Sequence, residues 1–289
     1  MIRGLSWLTL VMALGLTLLL AAVVACTAPT EEEQYFNTGA EYAEQGKWQE
    51  AIAQFDQALA LDLDYHDAYF ERGLAHAYLG EYDEAIADWT ETIRLDPNYA
   101  PAYNNRGIAY YELEQYEEAM ADYGEAIRLD PNFADAYFNR GLAHYDLGQY
   151  EMAIADYTEA IRLDPIDAYW QAYSNRGIAH ASQGEYEEAI ADYGEAIRLR
   201  PTFVGTYYSR GNAYSDLGEY GQAIADYTEA IRLDPNYPSP HYTRGLAHAE
   251  LEQYEEAIAD FQLYLQLVRP DDEFRAQAEQ YIEEMRGQQ

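Results

Sequence analysis

The residues best able to do chemistry in this chain recur at fixed spacing. Histidine is the first candidate, because imidazole ligates metals and titrates near neutral pH. Four of the six histidines, His76, His144, His180 and His248, stand in equivalent sequence surroundings. A helix that holds a metal carries His-x-x-x-His or Glu-x-x-His, which puts both side chains on one face. Neither spacing occurs here. Tyr42, Tyr110 and Tyr214 fill the same place elsewhere, so the position asks for a flat ring with a polar tip. Packing explains these histidines better than ligation, and neither metal nor cofactor is expected. No Ser-His-Asp arrangement or phosphate loop stands outside the recurrence, so no enzyme is expected either.

Two further polar sets share the recurrence. Arg72, Arg106, Arg140, Arg176, Arg210 and Arg244 are matched by Asp88, Asp122, Asp156, Asp192, Asp226 and Asp260. Where the arginine becomes Thr38, the aspartate becomes Gln54. Joint loss implies contact, a partly buried structural ion pair, with an arginine ladder for an anionic ligand as the competing reading. The residue before each of these positions is Asn37, Asn105, Asn139 or Asn175, with Glu71, Ser209 and Thr243 in the other copies. Asparagine offers a donor and an acceptor, so a row of them can pair with an extended peptide backbone of any sequence. The bland reading is that they are solvated helix residues.

Bulk charge narrows the partners. The chain has 52 acidic and 17 basic residues, a formal charge of -35, and Lys47 is its one lysine. Such a surface repels phosphate backbones, which argues against nucleic acid. High charge with few apolar residues would suggest disorder. Here 49% of residues are hydrophobic and 30 are tyrosines, enough for a core with the acids outside.

The elements that position these residues follow from a repeat. Gly39, Gly73, Gly107 and Gly141 are 34 residues apart; Gly177 follows after 36, then Gly211 and Gly245 after 34 each. With the glycine as position 8, position 20 is Ala51, Ala85, Ala119, Ala153, Ala189, Ala223 and Ala257. Position 24 is Phe55, Trp89, Tyr123, Tyr157, Tyr193, Tyr227 and Phe261. Position 32 is Pro97, Pro131, Pro165, Pro201 and Pro235. Small residues at 8 and 20 let two helices, A and B, approach closely, and the aromatic ring fills the crossing. Proline stops helix B, and Leu-Gly-Glu-Tyr segments such as Leu79 to Tyr82 turn the chain from A to B. A single hairpin cannot bury both faces, so the hairpins must stack.

This pattern resembles the tetratricopeptide repeat, over residues 32 to 271. The resemblance implies an all-α fold: a right-handed α-α superhelix, a solenoid of seven helical hairpins. The copies are 32–65, 66–99, 100–133, 134–169, 170–203, 204–237 and 238–271. The first copy has Leu63 in place of the proline, and the two extra residues of the fourth fall in Ile166 to Trp170, where they lengthen a loop. Residues 272–289 hold one more amphipathic helix, expected over 272–286, with Phe274, Ala278, Tyr281, Ile282 and Met285 on its apolar side. It would cap the last hairpin.

The N-terminal segment is of another kind. Residues 5 to 25 carry no charge and follow Arg3, which fits an export signal, though the length would also span a bilayer. Val23-Val24-Ala25-Cys26 resembles the bacterial lipobox. That resemblance implies a signal peptide over 1–25, a lipidated Cys26 and a tether over 26–31. The other reading is an uncleaved anchor. Both expect an exported protein facing the periplasm or cell exterior, held at the membrane, by a lipid in the first case.

In the tetratricopeptide family the concave wall is lined by helix A. Carried onto this chain, the implied peptide-binding groove comprises Asn37, Phe70, Asn104, Asn105, Phe138, Asn139, Asn175, Tyr208, Asn212 and Tyr242. The lysines and arginines with which chaperone-tail binders clamp a carboxylate are missing, and Asp67, Asp135, Asp146, Asp216 and Glu250 lie on or beside the wall instead. The expected partner is a basic or neutral protein segment, drawn in at long range and weakened by salt. The expected function is an envelope scaffold or adaptor; a solute- or glycan-binding protein with an aromatic-lined groove is the alternative.

Overall fold

The computed structural model describes residues 29–163 and 170–288. The signal segment, Cys26 and the two-residue insertion after Pro165 therefore lie outside the described residues, apart from Trp170. Among the described residues there are fifteen α-helices and no strand. They are α1 Glu31–Glu44, α2 Trp48–Leu61, α3 His66–Tyr78, α4 Tyr82–Leu95, α5 Ala100–Glu112, α6 Tyr116–Leu129, α7 Ala134–Asp146 and α8 Tyr150–Leu163. Then come α9 Trp170–Ser182, α10 Tyr186–Leu199, α11 Val204–Asp216, α12 Tyr220–Leu233, α13 Pro238–Glu250, α14 Tyr254–Leu267 and α15 Arg275–Arg286. None is long and apolar enough to cross a membrane.

The helices fall into two compact units that divide between Ala143 and His144. Within the first, α1 packs on α2, α3 on α4 and α5 on α6, and helix B of one hairpin lies on helix A of the next, α2 on α3 and α4 on α5. Within the second, α9 packs on α10, α11 on α12 and α13 on α14, with α8 on α9, α10 on α11 and α12 on α13. The hairpin core is the crossing that the spacing predicts. Ala85, Trp89, Ala119 and Tyr123 are fully buried, as are Ala223 and, to within 1%, Tyr227. Glycine at position 8 is a steric requirement: a Cβ on Gly211 would sit 2.6 Å from Cε1 of the Tyr227 ring.

The turns differ from expectation in two instructive ways. The A-to-B turn needs a left-handed residue, supplied by Gly80 at φ 77° and Gly218 at φ 75°. Glu114 and Glu252 take the same conformation at φ 59° and 58° despite carrying a side chain. The B-to-A turn does not depend on proline alone. Asp96 sits in an extended conformation before Pro97, and its carboxylate accepts the Asn98 N–H at 3.0 Å. Asp62 accepts the Asp64 N–H at 2.9 Å in the copy that lacks proline, so the aspartate turn survives there.

The second unit ends in α15, which lays Ala278, Ile282 and Met285 against Phe261 and Tyr264. The helix starts at Arg275 rather than at residue 272, because the Asp272 carboxylate accepts from the Phe274 N–H at 3.1 Å and from the Tyr264 hydroxyl.

Candidate functional site

The arginine and aspartate rows resolve into clamps. Arg106 donates from Nε and Nη2 to the two Asp122 oxygens, both at 2.7 Å, across the α5–α6 hairpin. Arg72 with Asp88, Arg176 with Asp192, Arg210 with Asp226 and Arg244 with Asp260 repeat the fork. The remaining Nη1 reaches back to the preceding helix B: Arg72 to Asp56 at 2.5 Å, Arg106 to Thr90 at 3.0 Å, Arg244 to Thr228 at 2.9 Å. Each such guanidinium thus ties a hairpin together and ties it to its neighbour. Burial pushes Asp88 and Asp122 up despite the arginine fork. Asp260 faces the same burial, but Arg244 joined by His241 and His248 holds it below the usual carboxylate range.

The histidines are engaged in the same frame. Nδ1–H of His76 donates to Glu81 and that of His180 to Glu185, both at 2.6 Å. The equivalent nitrogens of His144 and His248 meet the Gln149 and Gln253 carbonyls at 2.7 and 2.6 Å. Their Nε2 atoms lie 3.6–4.0 Å from Asp88, Asp192, Asp156 and Asp260. Tyr110 and Tyr214 occupy this place beneath Arg106 and Arg210, 5.9 and 6.0 Å from ring centre to guanidinium.

The implied groove residues divide by position. The side chains at position 5 are ring partners of position 34. Phe36 lies 5.0 Å from Tyr65, Phe70 5.1 Å from Tyr99 and Tyr208 5.5 Å from Tyr237, ring centre to ring centre. Tyr242 packs on Phe261, Tyr264 and Phe274. Phe70 is only 6% exposed; Phe138, Tyr208 and Tyr242 are half-buried. In the third copy position 5 is Asn104, facing Phe133, and the ring pair is broken. A cleft opens there, lined by Phe70, Leu74, Pro101, Asn104, Asn105, Phe133 and Asp135.

Asn104 and Asn105 line this cleft in the first unit, and Asn139 joins them from behind it. Asn139 Nδ2 donates to Asn104 Oδ1 at 3.0 Å, and Asn104 Nδ2 donates to Asn105 Oδ1 at 3.3 Å. All three side chains are buried, at 3–7% exposure, so they are not the solvated helix residues of the bland reading. Asn37 on α1 is exposed, and Asn175 on α9 is half-buried. Asn212 is spent on structure: its Oδ1 accepts the Tyr227 hydroxyl at 2.9 Å. Leu74 stands at position 9, one of the helix-A wall positions, whereas Pro101 and Phe133 were missed from sequence. The signal that could have found them is position 34, which stays aromatic in Phe133 while position 5 changes to asparagine.

The first unit's wall is electronegative. Glu71 occupies position 6 on α3, and burial, with the Asp67 charge adding, pushes its carboxyl up to about 7. Burial, then Asp67 and Glu71, also pushes the Tyr99 phenol up.

The repeat is also recognised by comparison. The TPR repeat family matches residues 39–80, 76–113, 109–148, 179–218 and 211–252, more than half the chain. The chain belongs to the tetratricopeptide repeat family. Further tetratricopeptide repeat matches fall on residues 134–167 and 239–267. Solved tetratricopeptide structures share the fold. The C-terminal part of a TPR repeat-containing protein from Cytophaga hutchinsonii is 19% identical, with a TM-score of 0.70 over 84% of this chain and 98% of that one. MamA is 26% identical, with a TM-score of 0.54 over 59% of this chain and 92% of its own. YrrB, described as a TPR protein with an unusual peptide-binding site, is 21% identical, with a TM-score of 0.57 over 66% of this chain and 97% of its own. No curated relative matches the chain in sequence.

Proposed function

We propose that this protein is a lipid-anchored adaptor of the cell envelope that holds segments of partner proteins against the helix-A faces of its hairpins, without catalysing a reaction on them. The observation that carries the reading is the buried amide cluster of Asn104, Asn105 and Asn139 beside an open cleft. A stack that needed only to pack would place a ring at Asn104, as the first two copies do with Phe36 and Phe70. The acidic wall and the net charge favour basic or neutral segments. Anchoring rests on the uncharged run of residues 5–25 and on Cys26. The glycan alternative needs exposed ring faces, and the rings of Phe36, Phe70, Tyr208 and Tyr242 are packed on neighbouring rings.

A photoreactive residue at the exposed Asn37, in native membranes, tests the adaptor. The expected outcome is covalent capture of a protein partner, reduced by high salt during irradiation; capture of none refutes the reading. Cys26→Ala is expected to move the protein out of the membrane fraction if the anchor is a lipid.

A further inference from the structure

We propose that the cleft among α3, α5 and α7 is a specificity pocket for one carboxamide side chain, glutamine or asparagine, of a bound protein segment. The proposal rests on the reading that the helix-A wall holds protein segments, and it adds which side chain is selected there.

Space comes first. In the α1–α3 and α3–α5 arrangements a phenyl ring at position 5 fills the volume beside Tyr65 or Tyr99. Asn104 is smaller than that ring, so the face of Phe133 is left uncovered and a slot forms between Phe70, Phe133, Leu74 and Pro101. Aromatic and apolar walls of this kind suit a flat group.

Hydrogen bonding then chooses the group. The amide chain runs from Asn139 through Asn104 to Asn105, where it stops. Asn105 lines the cleft and is only 7% exposed, and its Nδ2 donates to no protein group. That nitrogen is open to the cleft, so a ligand that covers it without bringing an acceptor strips its water and leaves it unpaired, which is costly. Guanidinium and ammonium groups have only donors and cannot accept from Asn105. A carboxylate can accept, but Asp135 lines the same cleft, and Asp67 and Glu71 lie on α3. Like charges at this range repel strongly when partly buried. The group that remains is neutral and flat. Its carbonyl accepts from Asn105, and its NH2 can donate to Asp135, whose carboxylate has several lone pairs to offer. The acidity of the whole molecule attracts basic segments from a distance, while this slot reads a neutral side chain within them.

The test uses the full chain in detergent and capped heptapeptides, acetyl-Gly-Ser-Ala-Xaa-Ala-Ser-Gly-amide, with Xaa as Gln, Glu, Arg or norleucine. NMR follows the side-chain amides of Asn104, Asn105 and Asn139. The glutamine peptide is expected to move all three signals and to bind about tenfold more tightly than the others, the worth of one hydrogen bond. Asn104→Phe, which restores the ring pair of the first two copies, is expected to remove binding with the helical signal unchanged. The comparison among peptides on the unaltered chain stands even if that variant does not fold. Binding indifferent to Xaa, or strongest for Arg or norleucine, overturns the pocket and leaves the adaptor reading intact. Failure of every peptide to move these amides also overturns the pocket, and crosslinking from Asn37 decides the adaptor separately.

Discussion

The α5–α6 and α11–α12 hairpins share one frame and use one amide differently. In α5 the asparagine is at position 5, and Ile108 is at position 9, one helical turn on. In α11 the order is reversed: Tyr208 at position 5 and Asn212 at position 9. The consequences are opposite. Asn212 accepts the hydroxyl of the buried Tyr227, while Tyr208 closes on Tyr237, so that wall is filled. Ile108 offers nothing to the hydroxyl of the buried Tyr123, which has no protein partner, and Asn104 opens the cleft instead. Moving an amide by one turn exchanges a structural hydrogen bond for an open cleft.

The frame common to both hairpins should fail hardest. Arg106→Ala and Arg210→Ala each leave a buried aspartate without its fork and should cost about 3–5 kcal/mol. The two are not equal. Arg106 also bonds Thr90, whereas Arg210 faces Gly194, which has no side chain to accept. Arg106→Ala should therefore cost more by about 0.5–1.5 kcal/mol. Hydrogen exchange under urea is the appropriate measurement, because stacked hairpins open locally. A larger loss for Arg210→Ala would break the comparison.

The next effect separates the two walls by pH. Position 6 is Glu71 in α3 and Ser209 in α11. Glu71 is raised from 4.5 to about 7, so the folded state holds its proton more tightly than the unfolded chain. Stability from this group is complete below pH 4.5 and is lost as pH rises through about 7. Glu71→Gln should match the parent at pH 4 and exceed it at pH 8 by about 1–3 kcal/mol, the upper end being the full shift and the lower allowing for partial exposure. Thermal melts at pH 4, 6 and 8 would show the gap widening; a constant gap would mean that Glu71 binds its proton equally in the folded and unfolded chain.

Much of this is legible in the sequence. Spacing alone identified the hairpins, the crossing of Gly211 on Tyr227 and the pairing of arginine with aspartate, because each recurs and because the arginine and aspartate are lost together in the first copy. The wall was less legible. Residue type at position 6 does not reveal that Asn105 and Asn139 are buried while Asn37 is exposed. Nor does it reveal that Asn104 joins them, since the contact runs between copies and between unlike positions. Burial of a side chain on helix A depends on what the neighbouring hairpin places at positions 5 and 34, a pairwise property that inspection of one position does not reveal.

The smallest effect is the most direct probe of the amide shift. Tyr227→Phe removes a hydroxyl that Asn212 satisfies, and leaves a half-buried acceptor behind. It should cost about 1 kcal/mol. Tyr123→Phe removes a hydroxyl that is buried without a protein partner, so the same chemical change deletes a desolvation penalty rather than a bond. It should be neutral or stabilising by up to about 1 kcal/mol. Parallel urea titrations of the two variants give opposite signs if the register of the amide decides the fate of the phenol. Equal losses would mean that the Tyr123 hydroxyl is satisfied in solution, and that the two hairpins differ only at the cleft.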